Sequence, residues 1–429
     1  MRIVTDLTEA RRLLTRRPGM ELITGLAGHA APQAAETVER IVADVRERGD
    51  AAVREHAKRI DSVTLDDLEV PAPEWDAAAE RVPTALADAL AAAAERIRAF
   101  HHASMPSSWR DEAMGWGERV VPLERVGIYV PGGNYASSVL MDAIPAKVAG
   151  VGEVVVCTPN PTDALLAAAK IAGVDRLFAI GGAQAIAAMA FGTESVPRVD
   201  KVCGAGNLYV TLAKRAVYGE TDIDGLYGPT ETLIIVDESA DPALAAADLL
   251  AQAEHDAMAS PILIALSQGV AERVAAQVEA QVGSLERVAI AAGAVERQGV
   301  AAVVSSIEEA VELANAYAPE HVCLLVENAE TAAAGVRNAG GVFVGENSPE
   351  VLGDYAAGPS HTMPTAGTAR FASYLGVRHF LRFMPVVALD GGTVHRLGPT
   401  AAAIARAEGL TAHARAVERR LEGETRSAP

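Results

Sequence analysis

The sequence predicts an α/β protein made of two units, each a parallel sheet with crossover helices, and three observations predict it. Short apolar runs closed by Gly- or Pro-rich turns alternate with amphipathic stretches from Arg125 to Val344. The alternation runs twice, with a seam near residue 231. At 429 residues the chain is also longer than one ordinary core fills.

Residues 1–22 read as a basic arm in which Leu7, Ala10, Leu13 and Leu14 recur at helical spacing. From about 33 to 103 the pattern is helical, with Ala-rich stretches such as Val82–Phe100. Val126–Val130 is a short apolar strand ending in Pro131-Gly132-Gly133, and Val154–Cys157 is a second, closed by Thr158-Pro-Asn-Pro. Leu177–Ile180 is a third, leading through Gly181-Gly182 into a helix to about Ala190. Beyond the seam, strands are expected at Thr232–Val236, Ile262–Leu266, Ala301–Val303, Val322–Val326 and Gly341–Val344. Helices are expected between them at Pro242–His255, Gly269–Val282 and Ile307–Tyr317. Past about 376 no strand pattern is visible, and Pro399–Leu421 reads as one long helix. The expected domains are an arm (1–22), a first α/β domain (23–128 with 232–375), a second (129–231) and a helical tail (376–429).

Composition narrows the function. A net charge of -19 with no offsetting basic stretch argues against a nucleic-acid binder. Cys157, Cys203 and Cys323 stand apart in apolar runs without any C-x-x-C pair, so they read as buried reduced thiols of a cytoplasmic protein. The first residues lack the apolar core of a signal peptide. The uncharged run Leu177–Thr193 is broken by Gly181-Gly182, so no membrane span is expected.

Chemistry concentrates in four segments: Gln252-Ala-Glu-His255, Pro319-Glu320-His321, Gly353-Asp354 to Ser360-His361, and Glu408 to His413. They hold four of only ten histidines, each near a carboxylate or an amide, as a divalent-metal site or an acid/base pair requires. Gln252 and His255, three apart on one predicted helix, share a face; on most surface helices such a pair is simply solvated. Asp354 is placed in a turn-rich loop. Two histidines, a carboxylate and an amide oxygen would suit zinc, or Mn²⁺ or Co²⁺ in its place, although spacing alone does not bring them together. Glu320-His321, at a strand mouth after Ala-Pro, offers two proton-transfer groups; the plainer reading is a capping Glu beside a half-buried His. The Gly-rich turns at 131–133, 181–182 and 204–206 suit close approach of backbone N–H groups to a cofactor phosphate, and none is a G-x-G-x-x-G. His29, His56, His101, His102, His379 and His395 lack such surroundings and read as surface or packing residues.

At these segments the chain resembles the histidinol dehydrogenase family, whose members end histidine biosynthesis by oxidising L-histidinol to L-histidine with NAD. The likeness is carried by Tyr129-Val-Pro-Gly-Gly, Ile180-Gly-Gly-Ala-Gln, Lys201-Val-Cys-Gly-Ala-Gly-Asn, Gly228-Pro-Thr-Glu, Gln252-Ala-Glu-His, Ala318-Pro-Glu-His, Gly353-Asp-Tyr-Ala and Ala407-Glu-Gly-Leu-Thr-Ala-His. The resemblance implies two Rossmann-like, aldehyde-dehydrogenase-like domains and a helical tail that crosses to a dimer partner. By position it makes Gln252, His255, Asp354 and His413 the ligands of one zinc per subunit, and Glu320 and His321 the acid/base pair. His361, Glu408 and Thr230 become substrate contacts together with the zinc ligands and His321, and Tyr129, Gln184 and Asn207 become NAD contacts. It also implies an obligate homodimer with shared active sites and a four-electron reaction through the aldehyde. The chain departs from the family at Tyr227, at Thr230 where serine is usual, at Ala205, and in a shortened loop at 134–138. These departures surround the cleft and admit an alternative: the same machinery acting on another polyol or amino alcohol, as in sulfopropanediol dehydrogenases. A non-catalytic zinc or nucleotide binder is a third reading, against which the intact Glu320-His321 pair stands.

Overall fold

The computed structural model describes residues 1–16, 23 and 30–422. Its strands in chain order are β1 (Arg2–Val4), β2 (Trp109–Asp111), β3 (Trp116–Pro122), β4 (Arg125–Tyr129), β5 (Glu153–Cys157), β6 (Arg176–Phe178), β7 (Lys201–Cys203), β8 (Asp222–Ile223), β9 (Glu231–Val236), β10 (Ser260–Ala265), β11 (Val300–Val303), β12 (His321–Leu325), β13 (Gly341–Val344) and β14 (Leu381–Val387). The chain divides into two compact units, Met1–Met105 with Pro122–Phe380 and Pro106–Val121 with Leu381–Pro429.

The first unit contains two parallel sheets. One has the order β6-β5-β4-β7-β8, the other β1-β11-β10-β9-β12-β13. Helices cover the sheets, so the central strands are buried throughout: every residue of β9 and β10 is buried, and all but Glu231, Thr232 and Ser260 are apolar. The predicted strands stand within a residue or two of their expected places, and the helix Ile307–Tyr317 has the expected bounds.

Four expectations change. Arg2–Val4, read as part of a helical arm, is instead an edge strand paired to β11, ahead of the expected helix Leu7–Leu14. Helices Ala30–Arg48, Ala72–Arg81 and Thr84–Ala103 pack on helices flanking the five-stranded sheet, although 23–128 was expected with the other domain. An amphipathic helix announces that one face is covered but not by which sheet. β4 likewise opens the five-stranded sheet at Arg125, before the expected boundary at 129. Finally, the helix expected over Pro242–His255 ends at Ala253. Residues 17–22 of the arm and His29 lie outside the described residues.

The second unit joins a three-stranded sheet, β14-β3-β2, to two helices packed on each other, Gly391–Ala407 and Thr411–Glu422. The tail therefore contains a strand, hidden in the sequence because Pro385 interrupts its apolar run. The single long helix is likewise two. Gly409, at φ +76, ends the first in the left-handed conformation that glycine adopts without a steric penalty, and Pro399 lies inside that helix. No helix among the described residues is long and apolar enough to cross a membrane.

Candidate active site between two sheet edges

The first unit's two sheets meet a common cavity of about 370 Å³ with opposite edges. From the five-stranded sheet come residues at or after the carboxyl ends of strands: Tyr129, Pro131, and Ala205 to Asn207. From the six-stranded sheet come residues at or before the amino ends: Thr230 ahead of β9, and Glu320-His321 at the head of β12. Chain polarity decides what each edge offers. Helices Gly182–Phe191 and Leu208–Val217 begin at the first edge, and helices Pro242–Ala253 and Ile307–Tyr317 end at the second. Helix starts favour negative charge and helix ends favour positive charge.

His321 is buried and its ring is fixed. Nδ1 donates to the Glu231 carbonyl at 3.1 Å, so Nε2 carries the lone pair; Nε2 is buried, has no hydrogen-bond partner among the described residues, and stands 3.8 Å from Asp354 Oδ1. Burial holds the imidazole below its ordinary pKa and hence neutral. Glu320 lies beside it. Its Oε2 accepts from the Glu231 N–H at 3.1 Å and lies 2.7 Å from the Thr230 hydroxyl, while burial pushes its carboxyl well above the usual range. Thr230 Oγ1 is also 2.8 Å from Gln252 Oε1. One hydroxyl proton serves only one of these two oxygens at a time, so the charge on Glu320 and the orientation of Thr230 are linked.

Gln252 occupies the last turn of its helix and its amide nitrogen donates to Asp354 Oδ2 at 3.2 Å. His255 follows in the turn beyond, exposed, with its N–H donated to the Gln252 carbonyl at 3.1 Å. Asp354 sits on a short helix, Glu350–Tyr355, not in the expected loop. Gln252, His255 and Asp354 all line the cavity. Among the described residues no group of three or more His, Cys, Asp or Glu is spaced to hold a metal ion. The donors present are an amide oxygen, an imidazole and a carboxylate, a set that fits a borderline metal but leaves it short of a closed shell. His361 repeats the pattern of His321: Nδ1 donates to the Asp354 carbonyl at 2.9 Å and Nε2 meets the Ser138 hydroxyl at 3.2 Å. The lining residues all belong to the first unit. Glu408, which caps the helix Gly391–Ala407, and His413 are exposed residues of the second.

Tyr129, Pro131 and Asn207 also line a second, larger cavity of about 960 Å³, which contains Gln184, Gly182 and Gly132. All three residues expected at NAD are therefore gathered here, each already engaged. Tyr129 Oη accepts from the Gly182 N–H at 3.2 Å, Gln184 donates to Asp61 at 3.2 Å, and Asn207 Oδ1 caps the helix Leu208–Val217. Gly204, at φ +103, is required because a side chain there would collide with the Tyr129 carbonyl. His56, expected as a surface or packing residue, is buried, pairs with Asp44 at 2.8 Å and also lines this cavity.

The whole chain can now be set beside known proteins. The family model for histidinol dehydrogenase matches residues 27–421. The chain belongs to the histidinol dehydrogenase family. The histidinol dehydrogenase of Dehalococcoides mccartyi (strain CBDB1) is 47% identical over 98% of this chain and 100% of its own length. That of Thermus thermophilus is 50% identical over 91% of this chain and 95% of its own. The crystal structure of histidinol dehydrogenase from Elizabethkingia anophelis superposes with a TM-score of 0.91 at 35% identity, covering 99% of this chain and 98% of that one. As a histidinol dehydrogenase family member, the protein is an oxidoreductase acting on CH–OH, and its α/β fold with parallel sheets is the family's.

Some groups around this site escaped the sequence reading. Glu231 touches Glu320 and His321 through its backbone; Glu350 is a fully buried carboxyl behind His321; Asp142 accepts from Thr362 at 2.7 Å. Burial lifts the Asp142 carboxyl to about 7. A carboxylate inside an apolar run was the available signal for Asp142, which stands alone between Met141 and Ala143.

Proposed function

We propose that this protein is an NAD-dependent, zinc-containing histidinol dehydrogenase that oxidises L-histidinol through L-histidinal to L-histidine. The observation that carries this reading is His321, a neutral imidazole whose Nδ1–H is committed to a backbone carbonyl and whose Nε2 is buried at the cavity without a partner among the described residues. Such a nitrogen is prepared to take the alcohol proton. Glu320 supplies the second proton-transfer group: burial makes its carboxylate a stronger base, suited to take a proton from the water that hydrates the aldehyde. As water adds, His321 returns its proton to the carbonyl oxygen, and the imidazole so freed takes a proton of the resulting diol in the second oxidation. Tyr129, Gln184 and Asn207, at the helix starts lining the larger cavity, would hold NAD, which would supply the hydride acceptor for both oxidations. Gln252, His255 and Asp354, completed by His413 of the partner subunit, would hold zinc, whose role is to anchor the substrate's imidazole and amine.

The substrate assignment rests on charge. Among the described residues no Lys or Arg lines the smaller cavity, whereas Asp142, Asp256, Glu320 and Asp354 do. Those surroundings suit an ammonium and leave a sulfonate without a counter-charge. Glu408 of the partner subunit would add a carboxylate for the amine. The homodimer itself is supported by exposed apolar side chains on the second unit, among them Trp109, Trp116, Phe383, Leu397 and Ile404.

The test is stoichiometric. The zinc-loaded protein should form two NADH per L-histidinol with L-histidine as product, and a chelator should abolish turnover. Absence of turnover by a folded, zinc-bound dimer would sink the assignment and direct the search to other amino alcohols and polyols. Mixing a His413→Ala chain with a His321→Asn chain, each inactive alone, should restore activity if the sites are shared.

A further inference from the structure

We propose that Arg16 is a positioning residue that sets the Glu320-His321 pair, acting through Glu231 from the opposite end of the chain. The proposal rests on the acid/base reading above.

Glu231 is the residue that both proton-transfer groups share. Its backbone N–H donates to Glu320 Oε2 at 3.1 Å, and its backbone carbonyl accepts from His321 Nδ1 at 3.1 Å. A displacement of the Glu231 backbone therefore disturbs both the acceptor contact of one group and the tautomer of the other. Beyond its place at the head of β9, Glu231 is held by its own side chain. The carboxylate is 3% exposed and is gripped by both terminal nitrogens of Arg16, with Nη1 to Oε1 at 2.7 Å and Nη2 to Oε2. The geometry is the planar two-point pairing that arginine alone provides.

Arg16 has further points of purchase. Its Nε donates to the Tyr317 carbonyl at 2.9 Å, three residues before Glu320, and its guanidinium lies 3.6 Å over the Tyr317 ring. Glu231 Oε1 accepts from the Ala366 N–H at 3.0 Å, and Thr365 next to it takes the Gly228 N–H at 2.7 Å. Arg16 thus ties the strand head that carries Glu320-His321, the Gly228–Glu231 turn and the loop that follows His361. Its polar contacts go to Glu231 and to the main chain of Tyr317. It does not line the cavity, so it acts on geometry and not on substrate.

The experiment compares wild type, Arg16→Ala and Arg16→Lys in the full-length, zinc-supplied protein, measuring kcat, the KM for L-histidinol and thermal unfolding. Wild-type turnover of L-histidinol is the control; if it fails, the functional reading falls before the present one is reached. With wild type active, a folded Arg16→Ala should lose about 10²-fold in kcat with little change in KM, as a displaced catalytic pair does. Added guanidinium should restore part of that kcat. Should Arg16→Ala not fold, Arg16→Lys decides: it keeps the charge but not the two-point fork, so kcat should fall while unfolding temperature and KM hold. Wild-type kcat in the folded variant, or a loss confined to KM, overturns the proposal.

Discussion

The two sheet edges that face the cavity solve different problems with different materials. At the five-stranded sheet, side chains are small or already engaged, and what points inward is largely backbone: glycine turns and the starts of helices. At the six-stranded sheet the inward groups are titratable side chains, buried and steered by hydrogen bonds from main chain. On the function proposed above, the first edge would receive a ligand by shape and dipole and the second would move protons. The first edge presents strand carboxyl ends, where ligands of open α/β sheets usually sit, and the second presents amino ends. The reversal brings helix ends to this edge, which would favour the positive charge that the proposed function places there.

Changes on the two edges should therefore separate chemistry from cofactor affinity. The largest effect is expected for His321→Asn, about 10²–10⁴-fold in kcat with NAD affinity unchanged by fluorescence titration. An equal loss of NAD affinity would break the division. Thr230→Val, which strips the hydroxyl between Gln252 and Glu320, should lower kcat/KM by about 1–3 kcal/mol in barrier, while Thr230→Ser stays near wild type. Steady-state assays of both variants decide this, and equal losses would mean that the hydroxyl is not what matters. On the cofactor edge, Tyr129→Phe removes the acceptor for the Gly182 N–H, so KM for NAD should rise by the equivalent of about 0.5–1.5 kcal/mol at constant kcat. A fall in kcat alone would contradict it.

The smallest effect concerns Glu350, whose carboxyl accepts from Thr232 at 2.6 Å and is pushed up by burial. A raised pKa means that the folded protein holds a proton the unfolded chain has released above about pH 4.3. Its contribution is whole below that value and is lost as pH rises through the folded pKa. Glu350→Gln cannot ionise, so its melting temperature should gain on wild type steadily as pH is raised. A gap independent of pH between about 5 and 9 would show that Glu350 is not held protonated.

Much of this was legible in the sequence. Apolar runs with turn residues located nearly every strand of both parallel sheets, because buried strands have no polar face to confuse the pattern. The resemblance named Glu320, His321, Gln252, His255 and Asp354, and the structure brings all five to one cavity. What stayed hidden depends on long-range pairing. β1 is three residues long and acquires meaning only beside β11. Arg16 is one of many arginines until Glu231 is placed against it. The tail's two helices were foreshadowed by Gly409, yet a helical pattern on either side disguised the break.

β1 also bears on how the chain is made. Arg2–Val4 emerges about 300 residues ahead of its partner Val300–Val303, on the order of tens of seconds at ordinary rates of synthesis. The five-stranded sheet, contiguous from Arg125 to Ile223, has by then had every strand it needs. A nascent chain thus carries an idle front strand past a nearly finished neighbour, and the last sheet to close is the one holding the proton-transfer groups. Trimming or fusing the first few residues would leave the early half untouched and tax the late one.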